Sequence, residues 1–213
     1  MRTEDLTAVL VASLEPIDPR RTKRRYIIGM TGGLFGALCL AGGILRLNPS
    51  LSRDVLDTAF WIREVFCASV SVLAVLVMGR LARPGSRLGL LPASIAAVVL
   101  IMWTFGATTL LSASPGNRVP LLLGTTFAVC PFLIAFVAAP LFFAFVCILK
   151  DLAPTRLRWA GAGAGFAAGS IGALVYSLHC PELAAPFIGV WYLLGMLIPT
   201  AIGALLGARL LHW

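Results

Sequence analysis

Charge is what this sequence has least of. Asp, Glu, Lys and Arg make up 12% of its 213 residues, against roughly 25% in soluble domains. Nine residues are acidic, and histidine occurs twice, at His179 and His212. That composition cannot coat a water-soluble globule. With 59% apolar residues and a mean hydropathy of +0.94, the chain reads as an integral membrane protein. Alternating apolar and polar stretches of strand length are missing, and so is a regular spacing of turns, which excludes a transmembrane barrel. Helices remain, because a helix satisfies its own backbone polar groups in lipid.

Enzyme signatures are missing as well. The sequence holds no Walker loop, dinucleotide fingerprint, HExxH or GxSxG, so we read no enzyme and no resident cofactor. A CxxC pair is absent, which argues against a quinone-linked disulfide oxidase. An ion or proton carrier needs ionisable groups along its path, and Glu64 is the acidic residue that falls clearly inside an apolar stretch. A small membrane transporter or channel and a membrane thiol redox protein stand as alternatives. The first lacks a polar midplane path and the second lacks a ligand set.

Six apolar stretches are present, at 26–45, 59–79, 88–111, 127–149, 159–178 and 187–210. At about 1.5 Å per residue they match a hydrocarbon core about 30 Å thick. The expected fold is all-α: an integral membrane bundle of six transmembrane helices with a short amphipathic cytoplasmic N-terminal helix. Two parts follow, a cytoplasmic N-terminal segment at 1–25 and a six-helix transmembrane domain at 26–213. Arg20, Arg21, Lys23, Arg24 and Arg25 before the first stretch look like a signal-peptide start. The stretch is too long for one and lacks a small-x-small cleavage site, so we read an uncleaved anchor. Thirteen of the seventeen Lys and Arg residues fall on one side of the six-span arrangement, which makes that side, with both termini, cytoplasmic. The net charge of +8 is then mostly topology signal beside anionic lipid, and direct nucleic-acid binding is not expected.

Residues 1–19 are the largest soluble piece. Thr3 is an N-cap, Glu4 and Asp5 suit a first turn, and Pro16 and Pro19 end the segment. Leu6, Val9, Leu10 and Leu14 form one apolar helix face. Its occupant is the inner membrane surface or a protein. Surface helices prefer a basic polar face, and this one carries Glu4, Asp5 and Glu15.

Glycines four apart, Gly161, Gly165 and Gly169, with Gly29/Gly33, Gly32/Gly36 and Gly203/Gly207, let helices approach closely. We read them as packing within one bundle. In the second stretch, Arg63 is expected to snorkel outward and Glu64 to face the bundle. Cys39, Cys67 and Cys147 sit inside apolar stretches and read as small packing residues. Cys130-Pro131 and Cys180-Pro181 fall at the outer ends of the fourth and fifth stretches, where the bacterial periplasm is oxidising. His179 and Glu182 flank Cys180. Thiol, imidazole and carboxylate at one helix mouth make an incomplete soft-metal site. Spacing alone leaves open the reading of two unrelated buried cysteines.

Taken together, "RTEDLTAVLVASLEP", the basic run, six spans, "AVCPF", "LHCPE" and the end "GALLGARLLHW" resemble the NrsF family of six-helix bacterial membrane anti-sigma factors over the whole length. The resemblance implies that the chain holds an extracytoplasmic-function sigma factor at the inner membrane and releases it under metal or oxidative stress. It implies Cys130 and Cys180 as the sensing pair, with a soft metal ion bound transiently as signal; His179 and Glu182 are candidate helpers from their place beside Cys180, not from the resemblance. It places the sigma-binding face within residues 3–15, on Leu6, Val9, Leu10 and Leu14. The inner loops at 80–87 and 150–158 are expected to add to that interface.

Overall fold

A computed structural model describes residues 19–83 and 85–212, with side chains from residue 24 onward. Leu6, Val9, Leu10 and Leu14 therefore lie outside the described residues. Six long helices run back and forth, joined by short connections. Helix α1 covers Pro19–Cys39 and continues as a π-helical turn over Leu40–Leu45. A short α2 at Leu51–Asp54 leads to α3 at Thr58–Leu81, whose N-terminus is capped by the Asp57 carboxylate accepting from the Ala59 N–H. Then come α4 at Leu91–Ser112, a short α5 at Pro115–Leu123, α6 at Cys130–Asp151 and α7 at Leu157–Tyr176. The chain closes with α8 at Ala185–Leu210, which carries a π-helical turn over Ile188–Tyr192.

Five of these helices are long and apolar enough to cross a membrane: Arg24–Leu45, Thr58–Leu81, Leu91–Ser112, Cys130–Asp151 and Ala185–Leu210. That corrects the expectation of six. The helix that falls short is α7, for a physical reason. It reads LRWAGAGAGFAAGSIGALVY, and glycine and alanine add little apolar surface. It has no need of more, because fourteen of its twenty residues are buried. It packs against α8, α6 and α3, so its solvent is the rest of the bundle. By contrast α4, with only Met102 and Gly106 buried among its residues, presents a wide apolar surface outward.

The glycines explain how α7 is enclosed. A Cβ on Gly161 would overlap the Gly203 carbonyl oxygen, and one on Gly165 would overlap that of Pro199. At Gly169 the Met196 carbonyl oxygen would lie 2.8 Å away. So α7 and α8 meet backbone to backbone, which side chains of any size prevent. Gly29, Gly33 and Gly36 of α1 let α6 approach less closely, against the Ile148 side chain, the Leu141 backbone and the Pro140 ring, each 3.0–3.1 Å from an added Cβ. These glycines serve packing inside this one chain, as read from the spacing, except Gly32, which has nothing within 4 Å. Cys39 and Cys147 differ from expectation. Both are exposed on outward helix faces, and of the three cysteines assigned to packing Cys67 is the one that is buried.

Contacts sort the connections to two ends. At one end Arg25 of α1 pairs with Asp151 of α6 at 2.7 Å. The Arg80 guanidinium there donates to the carbonyls of Arg87 and Leu88, beside Thr155 and Arg156. At the other end the Asn48 N–H donates to the Leu178 carbonyl, and both Cys-Pro pairs lie there. The α7–α8 contact leaves no room for one methyl group. Gly165→Ala should therefore lower the melting temperature of detergent-purified protein or abolish its monodisperse form, in line with overpacking costs of about 1–3 kcal/mol or more. Gly32→Ala, with nothing within 4 Å of the added carbon, should leave stability unchanged or raise it. Equal stability of the two variants would refute the backbone contact.

Candidate functional site

Each Cys-Pro pair is set by the way a helix starts or stops. Cys130 opens α6 after a turn in which the Val129 and Cys130 N–H groups donate to the Thr126 carbonyl. Pro131 follows inside the first turn, where its missing N–H costs nothing. On the other side, α7 stops at Tyr176, and the His179 and Cys180 N–H groups fold back onto the Tyr176 carbonyl. Pro181 prevents the turn from continuing. The backbone thus brings two cysteines fifty positions apart to the same place. Both are free thiols, both are fully buried, and both belong to one buried cluster.

Around the sulfurs is an aromatic and aliphatic shell. Tyr176 and Tyr192 stack at a tilt with ring centroids 5.9 Å apart, and Phe187, Ile134, Phe66 and Cys67 belong to the same buried cluster. The π-helical turn of α8 adds a residue to the helical repeat, a distortion common at functional sites, and Tyr192 is its last residue. The Tyr192 hydroxyl is buried without a hydrogen-bond partner.

Cys180 is the more acidic thiol. The neighbouring Cys130 thiol is the main cause, joined by the Glu182 backbone N–H and the positive charge of Arg63. Together they outweigh burial and hold Cys180 below the ordinary thiol value of 9.0.

Arg63 is where the sequence reading fails. It does not snorkel outward but is 1% exposed, whereas Glu64 keeps 16% of its side chain exposed. Its Nη1 donates to the Cys180 carbonyl at 3.0 Å and to the Glu182 carbonyl at 3.1 Å. Its Nε donates to Glu64 Oε1 at 3.2 Å, and its guanidinium carbon sits 5.1 Å from the Phe60 ring centroid. The Glu182 carboxylate reaches the other way and accepts from the Thr125 N–H and the Thr125 hydroxyl, both at 2.7 Å. Gly124 makes room for it. Its φ is +56°, and a Cβ there would lie 2.8 Å from the Glu182 carboxyl carbon. A chain of polar contacts therefore runs from α3 through the Cys180–Glu182 loop to the turn before Cys130.

The two residues expected to help the thiols are engaged elsewhere. His179 Nδ1 hydrogen-bonds with the Arg46 carbonyl at 2.7 Å, and its ring stacks at a tilt on Tyr176. Glu182 is held by Thr125. Among the described residues no three His, Cys, Asp or Glu side chains come together as a metal site. What the arrangement offers is a two-thiol site with one sulfur predisposed to ionise. The functional residues that spacing missed are Arg63, Thr125, Gly124 and Tyr192. An arginine inside an apolar stretch was the signal available for the first.

The lowered Cys180 pKa has a pH signature. The ionised Cys180 sulfur is favoured by the fold, so that contribution is present above the ordinary thiol range and is lost as pH falls through the lowered folded value. Mapped by mass spectrometry, alkylation of Cys180 should reach half its limiting rate below pH 9. In Cys130→Ala that midpoint should move upward, because the main cause of the lowered value is gone. A midpoint that stays put would show that Cys130 does not tune Cys180.

The sequence profile of the NrsF family, described as "Negative regulator of sigma F", matches residues 10–213. A protein of Azospira oryzae named "Probable anti-sigma-F factor NrsF" is 43% identical over 213 residues, covering 100% of both chains. A protein of Caulobacter vibrioides named "Anti-sigma-F factor NrsF" is 32% identical over 222 aligned residues, again covering 100% of both. No solved structure matches the chain. Full-length similarity at these identities bears out the resemblance carried by the two Cys-Pro pairs: the chain belongs to the NrsF family of negative regulators of sigma F.

Proposed function

We propose that this chain is an anti-sigma factor of the bacterial inner membrane. It holds an extracytoplasmic-function sigma factor through residues 1–25 and releases it when a soft metal or an oxidant reaches Cys130 and Cys180. The anti-sigma part is supported by the names of the full-length relatives. Membrane residence is supported by the five apolar helices. The observation that carries the sensing part is that two Cys-Pro pairs far apart in sequence form one buried thiol pair at one end of the bundle. An oxidant takes two electrons from that pair, and two protons leave, as one S–S bond forms. A soft metal instead displaces the protons and binds both sulfurs.

The opposite end suits the partner. A segment of 25 residues is small for an interface of about 800 Å² per partner. Arg80, Arg83, Arg87 and Arg156 line a cleft of about 530 Å³ there, which gives the inner connections a basic surface to add. The transporter or channel reading has no comparable support, since the ionisable groups inside the helices are engaged with one another and with backbone carbonyls.

Co-purification of a sigma factor from detergent-solubilised membranes tests the reading directly. Each buried apolar side chain contributes about 1.5–3 kcal/mol. Leu6→Asp combined with Leu10→Asp should therefore free the sigma factor and raise its regulon without stress. Retention of the sigma factor by that double variant would reject the face.

The thiol pair makes a separate prediction. Cys130→Ser and Cys180→Ser should each abolish the response of a sigma-dependent reporter to cadmium or a strong oxidant. The double variant should resemble either single one, and Cys39→Ser and Cys147→Ser should respond normally. A normal response from Cys180→Ser at wild-type membrane levels would remove the sensing role.

A further inference from the structure

Arg63 is the bulkiest of the fully buried side chains. A buried cation is costly, and an apolar side chain of similar size commonly packs there at least as stably. Its placement calls for a role beyond filling space. Glu64 meets one edge of the guanidinium, through Nε. The other edge, through Nη1, is given to the carbonyls of Cys180 and Glu182, which bracket Pro181. Fixing both carbonyls toward α3 fixes the two peptide planes around the proline. That leaves the Cys180 side chain in the pocket of Tyr176, Tyr192 and Cys130. The loop's other anchor, Glu182 on Thr125, sits at an exposed residue, where water competes for the same bonds. Arg63 is the anchor shielded from that competition.

We propose that Arg63 is the positioning residue of the thiol pair: its two hydrogen bonds pin the Cys180–Glu182 loop so that the Cys180 sulfur stays sealed, and a reagent reaches that sulfur when this clamp opens. The biological meaning of the clamp rests on the sensing role proposed for Cys180; its physical content does not.

The test uses the purified full-length protein in detergent and N-ethylmaleimide, with labelled positions read by peptide mass spectrometry. Rates are taken at a pH where they no longer rise, so that the ionised fraction of the thiol drops out. Arg63→Gln should raise the Cys180 rate at least ten-fold. Arg63→Lys, which keeps the charge without the planar fork, should give a smaller rise. Glu182→Gln leaves the backbone carbonyl for Arg63 and should change the rate less than either. Cys67, on the same helix as Arg63 and in the same buried cluster, is the internal control. A rise at Cys180 with Cys67 still protected supports the clamp. Equal rises at both report general loosening of the bundle and overturn it, and so does a wild-type rate at Cys180. If Arg63→Gln does not yield monodisperse protein, the same two outcomes read on Arg63→Lys decide. No sigma factor, metal or reporter enters this measurement. A failure of the sensing role would leave its result intact, and a failure of the clamp would leave the Cys→Ser reporter results intact.

Discussion

The contact on which the arrangement depends is the backbone meeting of α7 with α8. Gly161, Gly165 and Gly169 put carbonyl oxygens of α8 where any other residue would carry a Cβ. Once that contact forms, the end of α7 at Tyr176 and the start of α8 at Ala185 lie close together. The residues between them must then turn over the top of the bundle within a short span. Cys180 is buried because of this geometry, and not because it is apolar. The same contact frees α7 from the need to be greasy, which is why a helix at the centre of a membrane-type bundle is the long helix that falls short of a membrane span.

A second constraint is electrostatic. Arg63 sits on the α3 face that turns toward this short connection. A guanidinium removed from water needs acceptors, and the loop has them because Cys180 and Glu182 lie between the end of α7 and the start of α8, where their carbonyls have no helical partners. The loop needs a donor and the arginine needs acceptors. Neither group is satisfied without the other. Glu182 then has its carboxylate free to reach Thr125, which ties in the turn that launches α6 and hence Cys130. The two thiols meet because two unsatisfied sets of polar atoms answer each other across three segments of chain.

Much of this was legible in the sequence, and the gaps have physical causes. Long apolar stretches mark helices directly, so 59–79 and 187–210 lie within two or three residues of Thr58–Leu81 and Ala185–Leu210. The fourth stretch was begun early, at 127, because Phe127, Ala128 and Val129 in the turn before Cys130 are as apolar as the helix that follows. The count of crossing helices went wrong at α7, because hydropathy measures fitness for lipid and α7 is surrounded by protein. Pairing of the Cys-Pro motifs at one end was legible from helix alternation. Their shell was not. Adjacent helical residues point about 100° apart, and nothing local says whether Arg63 or Glu64 takes the inward direction. That choice is made by the carbonyls of a loop more than a hundred positions away, which no periodicity reports. The short helices α2 and α5 escaped notice because segments of four and nine residues carry too few turns for a periodic signal.

The two ends of the bundle are linked by the same elements that build the site. Under the proposed sensing role, a signal at Cys180 acts about 30 Å away, across the thickness of a bilayer. Changing a two-state equilibrium from one extreme to the other takes about 5.5 kcal/mol of differential interaction. A disulfide supplies typically about 2–4 kcal/mol, a large fraction of that. The sum becomes sufficient when the modification also breaks contacts that held the resting state. The loop around Pro181 has such contacts in its bonds to Arg63, and Arg63 belongs to α3, a continuous helix whose far end carries Arg80. Arg80 in turn organises the connection to α4 through the carbonyls of Arg87 and Leu88. A rigid helix that holds the thiol loop at one end and the basic cleft at the other offers a direct mechanical path. The packed interior of α7 keeps the neighbouring elements from absorbing the motion, since glycine-tight backbone contacts have no slack in which to yield.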